Sequence, residues 1–235
     1  MIAGLVLGQD YQSRIYSAYI QNDMNSWKMV MDEMEANYKT NQGTSLLYDL
    51  VEAEYGYVGY CISVKRKKEA RILLEKAEDH LQLLLKVYKD DPRFLSLQGA
   101  FYGLRISLTP FKAPVYGKKS MEANQRALQL GPSEPQAWME KANIEFYKPA
   151  VFGGSKREAV TLYKKAVRLY ESDPRGTSQN WLYMNCLAGL GIAYEETGQI
   201  KNAGEVYRKL LNLEPSFSWI RDDLYPQYLQ KHSAN

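Results

Sequence analysis

Four dipeptides ending in proline divide most of this 235-residue chain into segments of nearly equal length. They are Asp91-Pro92, Gly131-Pro132, Asp173-Pro174 and Glu214-Pro215, so successive prolines fall 40, 42 and 41 residues apart. Each proline follows an apolar-rich segment with helical spacing and opens another. A fixed period of this length predicts a solenoid, in which each repeat covers the apolar face of its neighbour.

The composition excludes several classes of protein. With 45% apolar and 24% charged residues, the chain is a folded one rather than a disordered one. A net charge of +3 is too small for the dense basic face of a nucleic-acid-binding protein, so we expect no nucleic-acid partner. No run of about 18 apolar residues occurs, so we expect no membrane span. We treat residues 1–235 as a single domain.

Motifs for catalysis or metal binding are absent from the sequence. Cys61 and Cys186 lie far apart in apolar segments, without the spacing of a zinc site. Neither His80 nor His232 has a serine-elbow or metal-ligand motif around it. Residues 153–156, Gly-Gly-Ser-Lys, lack the spacing of a phosphate-binding loop. We therefore predict a protein that is not an enzyme and that has no metal and no cofactor.

Helix starts are well marked, and no segment shows the alternation of a β-strand. Residues 155–158 form a capping box, in which Ser155 and Glu158 are expected to bind each other's backbone N–H groups. Asp91-Pro92 is an N-cap followed by proline at the first helical position. Ser133 with Gln136 is a third, weaker cap. These signals predict an all-α fold.

The clearest repeat runs from about residue 184 to Pro215. Its apolar and small residues follow one another at a distinctive spacing: Leu187, Leu190, Gly191, Tyr194, Gly198, Ala203, Tyr207, Leu210 and Pro215. This pattern resembles the tetratricopeptide-repeat (TPR) family, in which small residues let the two helices of a pair approach closely. Leu210 replaces the alanine that is common in the family. Weaker copies with lengthened turns lie upstream.

The resemblance implies a TPR-like right-handed superhelix of about five helix pairs. Residues 217–229 are expected to add a C-terminal capping helix. Five small residues should be buried in the seams between helices: Ala142, Ala159, Ala166, Gly191 and Ala203.

Two adjacent repeats carry elongated turns with the same order of residue types: proline, apolar or aromatic residues, glycine and lysine. They are residues 109–118 and 148–156. Insertions in a solenoid emerge on one edge, so the two turns should share an edge. Their aromatic residues, Phe111, Tyr116 and Phe152, either fold back as plugs over helix ends or form a lip or partner contact.

Basic stretches precede the second helices of several repeats. They are Lys65-Arg66-Lys67-Lys68, Lys118-Lys119, Lys156-Arg157 and Lys201. They form either a solvated surface with local glutamate partners or an edge that receives an acidic partner or lipid headgroups.

In TPR proteins the ligand usually lies on the concave face formed by the first helices. On this chain the resemblance places Tyr55, Tyr102, Arg105, Met139, Asn143 and Tyr147 on that face. Asn143 matches the asparagine of the TPR clamp that grips a terminal carboxylate, but Met139 stands where that clamp has a basic residue. An aromatic groove favours a protein or peptide partner, or an organic ligand with an anionic group.

The expected function is therefore a non-catalytic scaffold that binds a protein or peptide through its concave face. The alternative is a periplasmic transport accessory that holds a small organic anion or docks on a solute-binding protein. This alternative follows from the Pro-x-x-Phe-Gly-Gly sequence of residues 149–154, which resembles the TPR subunit of tripartite (TRAP-type) transporters.

The first eight residues are similar to the end of a signal-peptide apolar region, followed by a cleavage position before Gln9. This predicts a periplasmic or otherwise exported protein. The alternative is a cytoplasmic protein whose first residues begin a helix.

Overall fold

The computed structural model describes the backbone of residues 2–232 and the side chains of residues 11–232. Within that range the chain forms helices and no strand, which confirms the all-α prediction. The helices are α1 (Ile2–Gln21), α2 (Met24–Asn41), α3 (Thr44–Ser63), α4 (Lys67–Val87), α5 (Pro92–Leu108), α6 (Ala113–Leu130), α7 (Pro135–Tyr147), α8 (Lys156–Glu171), α9 (Pro174–Thr177), α10 (Trp181–Glu196), α11 (Ile200–Leu213) and α12 (Tyr225–His232).

The helices form five antiparallel pairs in a TPR-like superhelix. The first helices of the pairs are α1, α3, α5, α7 and α10, and the second helices are α2, α4, α6, α8 and α11. Each of the first four second helices packs on its own first helix and on the first helix of the next pair. Each first helix also contacts the next one, and α10 contacts α1. The five first helices therefore surround a common inner face.

An aromatic cluster closes this ring. Trp181, the first residue of α10, lies with its ring centroid 5.1 Å from that of Trp27 and 5.6 Å from that of Tyr19. It also lies 6.2 Å from the ring of Tyr55 on α3. A Cβ atom at position 56 would approach both tryptophan rings to 3 Å or less, so Gly56 leaves the space that they occupy. Such ring pairs contribute about 0.5–1.5 kcal/mol each beyond the area they bury.

Polar contacts join the same two ends of the chain. The Tyr16 hydroxyl donates to Glu214 at 2.8 Å, and the Tyr19 hydroxyl donates to Asn185 at 3.1 Å. The Ser218 hydroxyl donates to the backbone carbonyl of Ile20 at 3.1 Å. The two ends of the array are thus joined by residues that lie 166 to 198 positions apart in the chain.

The seams between helices are filled as the repeat pattern predicts. Ala142, Ala159, Ala166 and Ala203 are fully buried, and Gly191 is buried as well. A Cβ atom at Gly191 would lie 2.6 Å from the ring of Tyr207, which is itself fully buried. The glycine therefore sets how closely α10 and α11 approach.

Two of the three predicted helix caps are confirmed. The carboxylate of Asp91 accepts the backbone N–H of Arg93, and the hydroxyl of Ser155 accepts that of Glu158. The capping box is only half formed, because the N–H of Ser155 donates to the carbonyl of Glu145 on the previous helix.

The predicted cap of α7 at Ser133 is wrong by one residue. Glu134 is the N-cap, and its carboxylate accepts the N–H of Gln136. Proline at position 135 takes the first helical position, where its missing N–H costs nothing.

The C-terminal segment packs on the last pair as a capping element. A π-helical turn, Trp219–Leu224, leads into α12, and the hydroxyl of Tyr228 donates to the carbonyl of Ile200 at 3.1 Å. At the other end, the backbone of residues 2–8 belongs to α1, but the side chains of residues 1–10 lie outside the described part. The expectation of export stays a prediction.

Two glycine substitutions test the seam. Gly191→Ala should destabilise the protein by about 1–3 kcal/mol, because the added methyl group meets a buried ring that cannot move aside. Gly59→Ala is the matched control, since a Cβ atom there meets nothing within 4 Å. The control should be neutral or stabilising by up to about 1 kcal/mol, from its higher helix propensity. Equal denaturation midpoints for the two variants would contradict this packing.

Candidate functional site

Two side chains converge on the buried carboxyl group of Glu140, and a third supports one of them. The hydroxyl of Tyr55 donates to one oxygen of Glu140 at 2.8 Å, and the amide of Asn143 donates to the other at 3.0 Å. The hydroxyl of Tyr163 on α8 donates in turn to the amide oxygen of Asn143. This inner network joins α3, α7 and α8 across the ring.

Two carboxyl groups, Glu140 in the inner network and Glu52 on α3, have pKa values well above the ordinary value. Burial raises the pKa of Glu140 to about 7, although the bonds from Asn143 and Tyr55 act in the opposite direction. Burial likewise raises the pKa of Glu52 to about 7, against the opposing effect of the Tyr48 hydroxyl that donates to it at 2.9 Å. Both groups therefore exchange protons near neutral pH.

The structure brings some of the six predicted site residues together. Tyr55 and Asn143 belong to the inner network, and Met139 is fully buried next to Glu140 in the chain. Tyr147 lies one helical turn beyond Asn143 and is 76% exposed at the end of α7. Because Met139 is inaccessible and uncharged, the carboxylate clamp lacks its cation at this position.

The other two predicted residues lie elsewhere. The ring of Tyr102 stacks on Tyr116 of α6 at 6.0 Å, and Arg105 donates to Glu78 of α4 at 2.8 Å. Both therefore face second helices. Phe101, one residue earlier, is the α5 side chain that contacts Tyr55. A shift of one residue turns a helical side chain by about 100°, which explains why Tyr102 and Arg105 face second helices instead of the inner face.

Sequence reasoning did not find Glu140. A single glutamate between apolar helical positions is typical of a solvent-exposed helix face, and only the approach of α3 identifies it as buried. Ligand binding by the six predicted site residues stays a prediction. These residues are Tyr55, Tyr102, Arg105, Met139, Asn143 and Tyr147.

A second candidate surface is formed by the two elongated turns. Each contains a short 3-10 helix, Pro110–Lys112 or Ala150–Phe152, closed by backbone hydrogen bonds. Five apolar side chains on or beside these turns are between 57% and 83% exposed: Phe111, Val115, Tyr147, Val151 and Phe152. We call these five residues the turn edge. The turns follow α5 and α7, whose contact places both on the same edge of the superhelix.

The exposure of the turn edge decides between the two interpretations of its aromatic residues. The hypothesis that Phe111 and Phe152 are plugs over helix ends is wrong, because they are 82% and 75% exposed. Tyr116 differs from them, since it is half-buried against Tyr102.

The basic stretches are partly neutralised within the fold. Lys156 pairs with Glu196 at 2.6 Å, and Lys118 lies 3.8 Å from Glu122. The stretch between α3 and α4 surrounds a surface cavity of about 520 Å³. This cavity is lined by Lys28, Lys65, Arg66, Lys67, Lys68, Glu69, Ile72 and Leu73.

No group of three metal-ligating side chains is found in the described part of the chain. Of the helices in that part, none is long and apolar enough to span a membrane. Cys61 and Cys186 are both buried, and burial raises the pKa of the Cys61 thiol to about 11.

Comparison with known proteins supports a TPR-like fold. A tetratricopeptide-repeat family model matches residues 185–217, the segment with the clearest repeat pattern. No curated protein matches the sequence.

Two solved structures share the fold. The HusA haemophore from Porphyromonas gingivalis is 20% identical, with a TM-score of 0.64 over 80% of this chain and 94% of that one. A thermophilic TPR protein from Thermus thermophilus is 15% identical, with a TM-score of 0.64 over 95% of this chain and 99% of that one. The chain thus carries a TPR repeat within a TPR-like fold, which is typically a non-catalytic scaffold.

The raised pKa values of Glu52 and Glu140 predict that the stability of the fold depends on pH. The folded-state pKa of Glu52 and that of Glu140 lie above the ordinary value of 4.5. The contribution of these two groups to the free energy of unfolding is therefore complete below about pH 4.5 and is lost as the pH rises through 7. Glu140→Gln should flatten the fall in stability between pH 5 and 8. At pH 8 it should be more stable than the native chain, by on the order of 1–2 kcal/mol.

Urea denaturation at several pH values measures this effect. Glu205→Gln, at an exposed position on α11, is the matched control and should leave the pH profile unchanged. Parallel pH profiles for native protein and Glu140→Gln would show that this carboxyl group is not buried as described.

Proposed function

We propose that this protein is a non-catalytic binding protein that docks a partner protein through its turn edge. The observation that carries the proposal is the exposure of five large apolar side chains on two neighbouring turns. Apolar patches of this kind, surrounded by polar residues, are typical of interaction sites. The backbone hydrogen bonds within each turn fix its main chain, so little backbone freedom is lost on binding.

The inner face favours docking at the edge over docking along the groove. Contacts across the ring already join Tyr55 of α3 to Glu140 of α7 and to Trp181 of α10. An extended peptide on the inner face would have to separate these contacts before it could bind. The turn edge is accessible without any such rearrangement.

The surroundings of the turn edge indicate the chemistry of the partner. Lys112 and Lys119 form none of the ion pairs found among the described side chains. A complementary surface would therefore offer apolar sockets for Phe111 and Phe152, with carboxylates at the rim. Aromatic anchors at the centre of such an interface are the side chains whose truncation costs most, about 2 kcal/mol or more.

A second candidate function is capture of a flat, apolar organic anion on the same edge. One of the similar structures is described as a haemophore, which makes haem a defined probe of this class. Tyr147 and Phe152 would offer rings for stacking, and the neighbouring lysines would pair with acidic groups. Docking on a solute-binding protein, as the transporter resemblance implies, is one form of the leading proposal.

Site-specific photo-crosslinking in the native host tests docking. A benzophenone side chain at position 152 should give a discrete protein adduct, and adding Phe111→Ser should reduce its yield at least tenfold. The same group at position 87 is the control, because Val87 is 71% exposed on α4, away from the turns. Identical adducts at both positions, or none at 152, would contradict docking at this edge.

Haem titration of the purified protein separates the two candidates. Saturable 1:1 binding that is lost in the Phe111→Ser/Phe152→Ser variant would assign the edge to the organic ligand. Both residues are exposed, so the double variant should fold normally, with a stability change within roughly 0.5 kcal/mol per site.

A further inference from the structure

Acidic side chains line the opposite edge of the ring, where first helices begin. Asp49 and Glu52 lie in the first half of α3, and Glu134 caps the start of α7. Each is partly accessible to solvent. Together with Gln136 and Tyr170, we call these residues the acid cleft. It lies away from the turn edge, so its function does not depend on the docking proposed there.

Two buried polar side chains, one near the start of α7 and one near the end of α8, have no hydrogen-bond partner. Gln136 is 2% exposed, yet neither its amide oxygen nor its amide nitrogen is bonded. The hydroxyl of Tyr170, at the end of α8, is also unbonded and the residue is 3% exposed. Burial raises the pKa of this hydroxyl, and the nearby groups of Cys186, Glu134 and Glu52 add to that effect, so the hydroxyl lies near both carboxyl groups. Unbonded buried groups of this kind are costly unless something binds them.

The negative charge of the cleft is only weakly compensated. Arg93 is the nearby cation, but its guanidinium donates to Asp91 at 2.7 and 3.1 Å and lies over the ring of Tyr48. The cleft carboxyl groups are not grouped closely enough to hold a metal ion. A ligand that brings its own positive charge and several N–H donors would satisfy the carboxyl groups and the unbonded oxygens together.

We propose that the acid cleft binds an organic cation with several N–H donors, a guanidinium or a primary ammonium group. A guanidinium presents donors in a planar fork that matches a carboxylate. Glu52 and Glu134 supply the carboxylates, and the Gln136 oxygen accepts a further N–H. This ligand class is opposite in charge to the organic anion expected from the sequence.

The same geometry predicts that binding releases protons. Burial raises the pKa of Asp49 to about 6 and that of Glu52 to about 7, and it raises the pKa of Glu134 as well. A bound cation favours the ionised forms, so these groups lose protons on binding near pH 7. The other titratable groups near the cleft are Tyr48, Tyr170, Cys186 beside Tyr170, and the pair of Arg93 and Asp91, none of which titrates near neutrality.

Calorimetry with agmatine, which carries a guanidinium and a primary ammonium group, tests the proposal. The native chain should bind it saturably, with a heat that depends on the ionisation enthalpy of the buffer at pH 7. Glu52→Gln and Gln136→Leu should each weaken binding at least tenfold, whereas Glu205→Gln should not change it. Glu52→Gln should fold, since it removes only a charge, and its thermal melt checks this.

Two further ligands complete the experiment. Tetramethylammonium has the charge without N–H donors and should not bind. A capped tripeptide with one central arginine is then compared with agmatine. Tighter binding of the tripeptide indicates that the cation comes from a peptide, and tighter binding of agmatine indicates a free amine. Agmatine binding that is absent, equal to that of tetramethylammonium, or unchanged in Glu52→Gln would overturn the proposal.

Discussion

The packing of Trp181 across the ring is the contact on which the rest of the structure depends. It joins the start of α10 to α1, α2 and α3, and it requires glycine at position 56 to make room. A TPR-like solenoid without such a contact presents an open concave groove. Here the ends of the array meet, and the groove becomes an interior with buried tyrosines and carboxyl groups.

Closure of the ring moves the accessible surfaces to its two edges. One edge carries apolar turns, because lengthened connections follow α5 and α7 and hydrogen-bond internally. The other edge carries carboxyl groups, because α5 and α7 begin there with the acidic caps Asp91 and Glu134. The two edges therefore differ in chemistry: the turn edge suits an apolar partner with acidic groups, and the acid cleft suits a cation. Docking at the turn edge does not require the inner contacts to open.

Local patterns made the fold predictable, and long-range contacts made the site unpredictable. The proline period, the small residues at Gly191 and Ala203 and the caps at Asp91 and Ser155 act within one helix pair, so the sequence reveals them. Closure joins residues nearly 200 positions apart and leaves no periodic signal. Glu140 could not be recognised as buried either, because Tyr55, which contacts it, lies 85 positions earlier in the chain. A one-residue error in the weak repeat at α5 placed Tyr102 and Arg105 on the inner face.

A distance measurement between the ends of the array tests closure most directly. Spin labels on cysteines introduced at Ser17 of α1 and Asn212 of α11 report it, since both positions are exposed and both native cysteines are buried. The native chain should give one narrow distance distribution. Trp181→Ala should give a broader and longer one, with helix content by circular dichroism unchanged. A broad distribution in the native chain, or a narrow one that Trp181→Ala leaves unaltered, would contradict a ring held closed by this side chain.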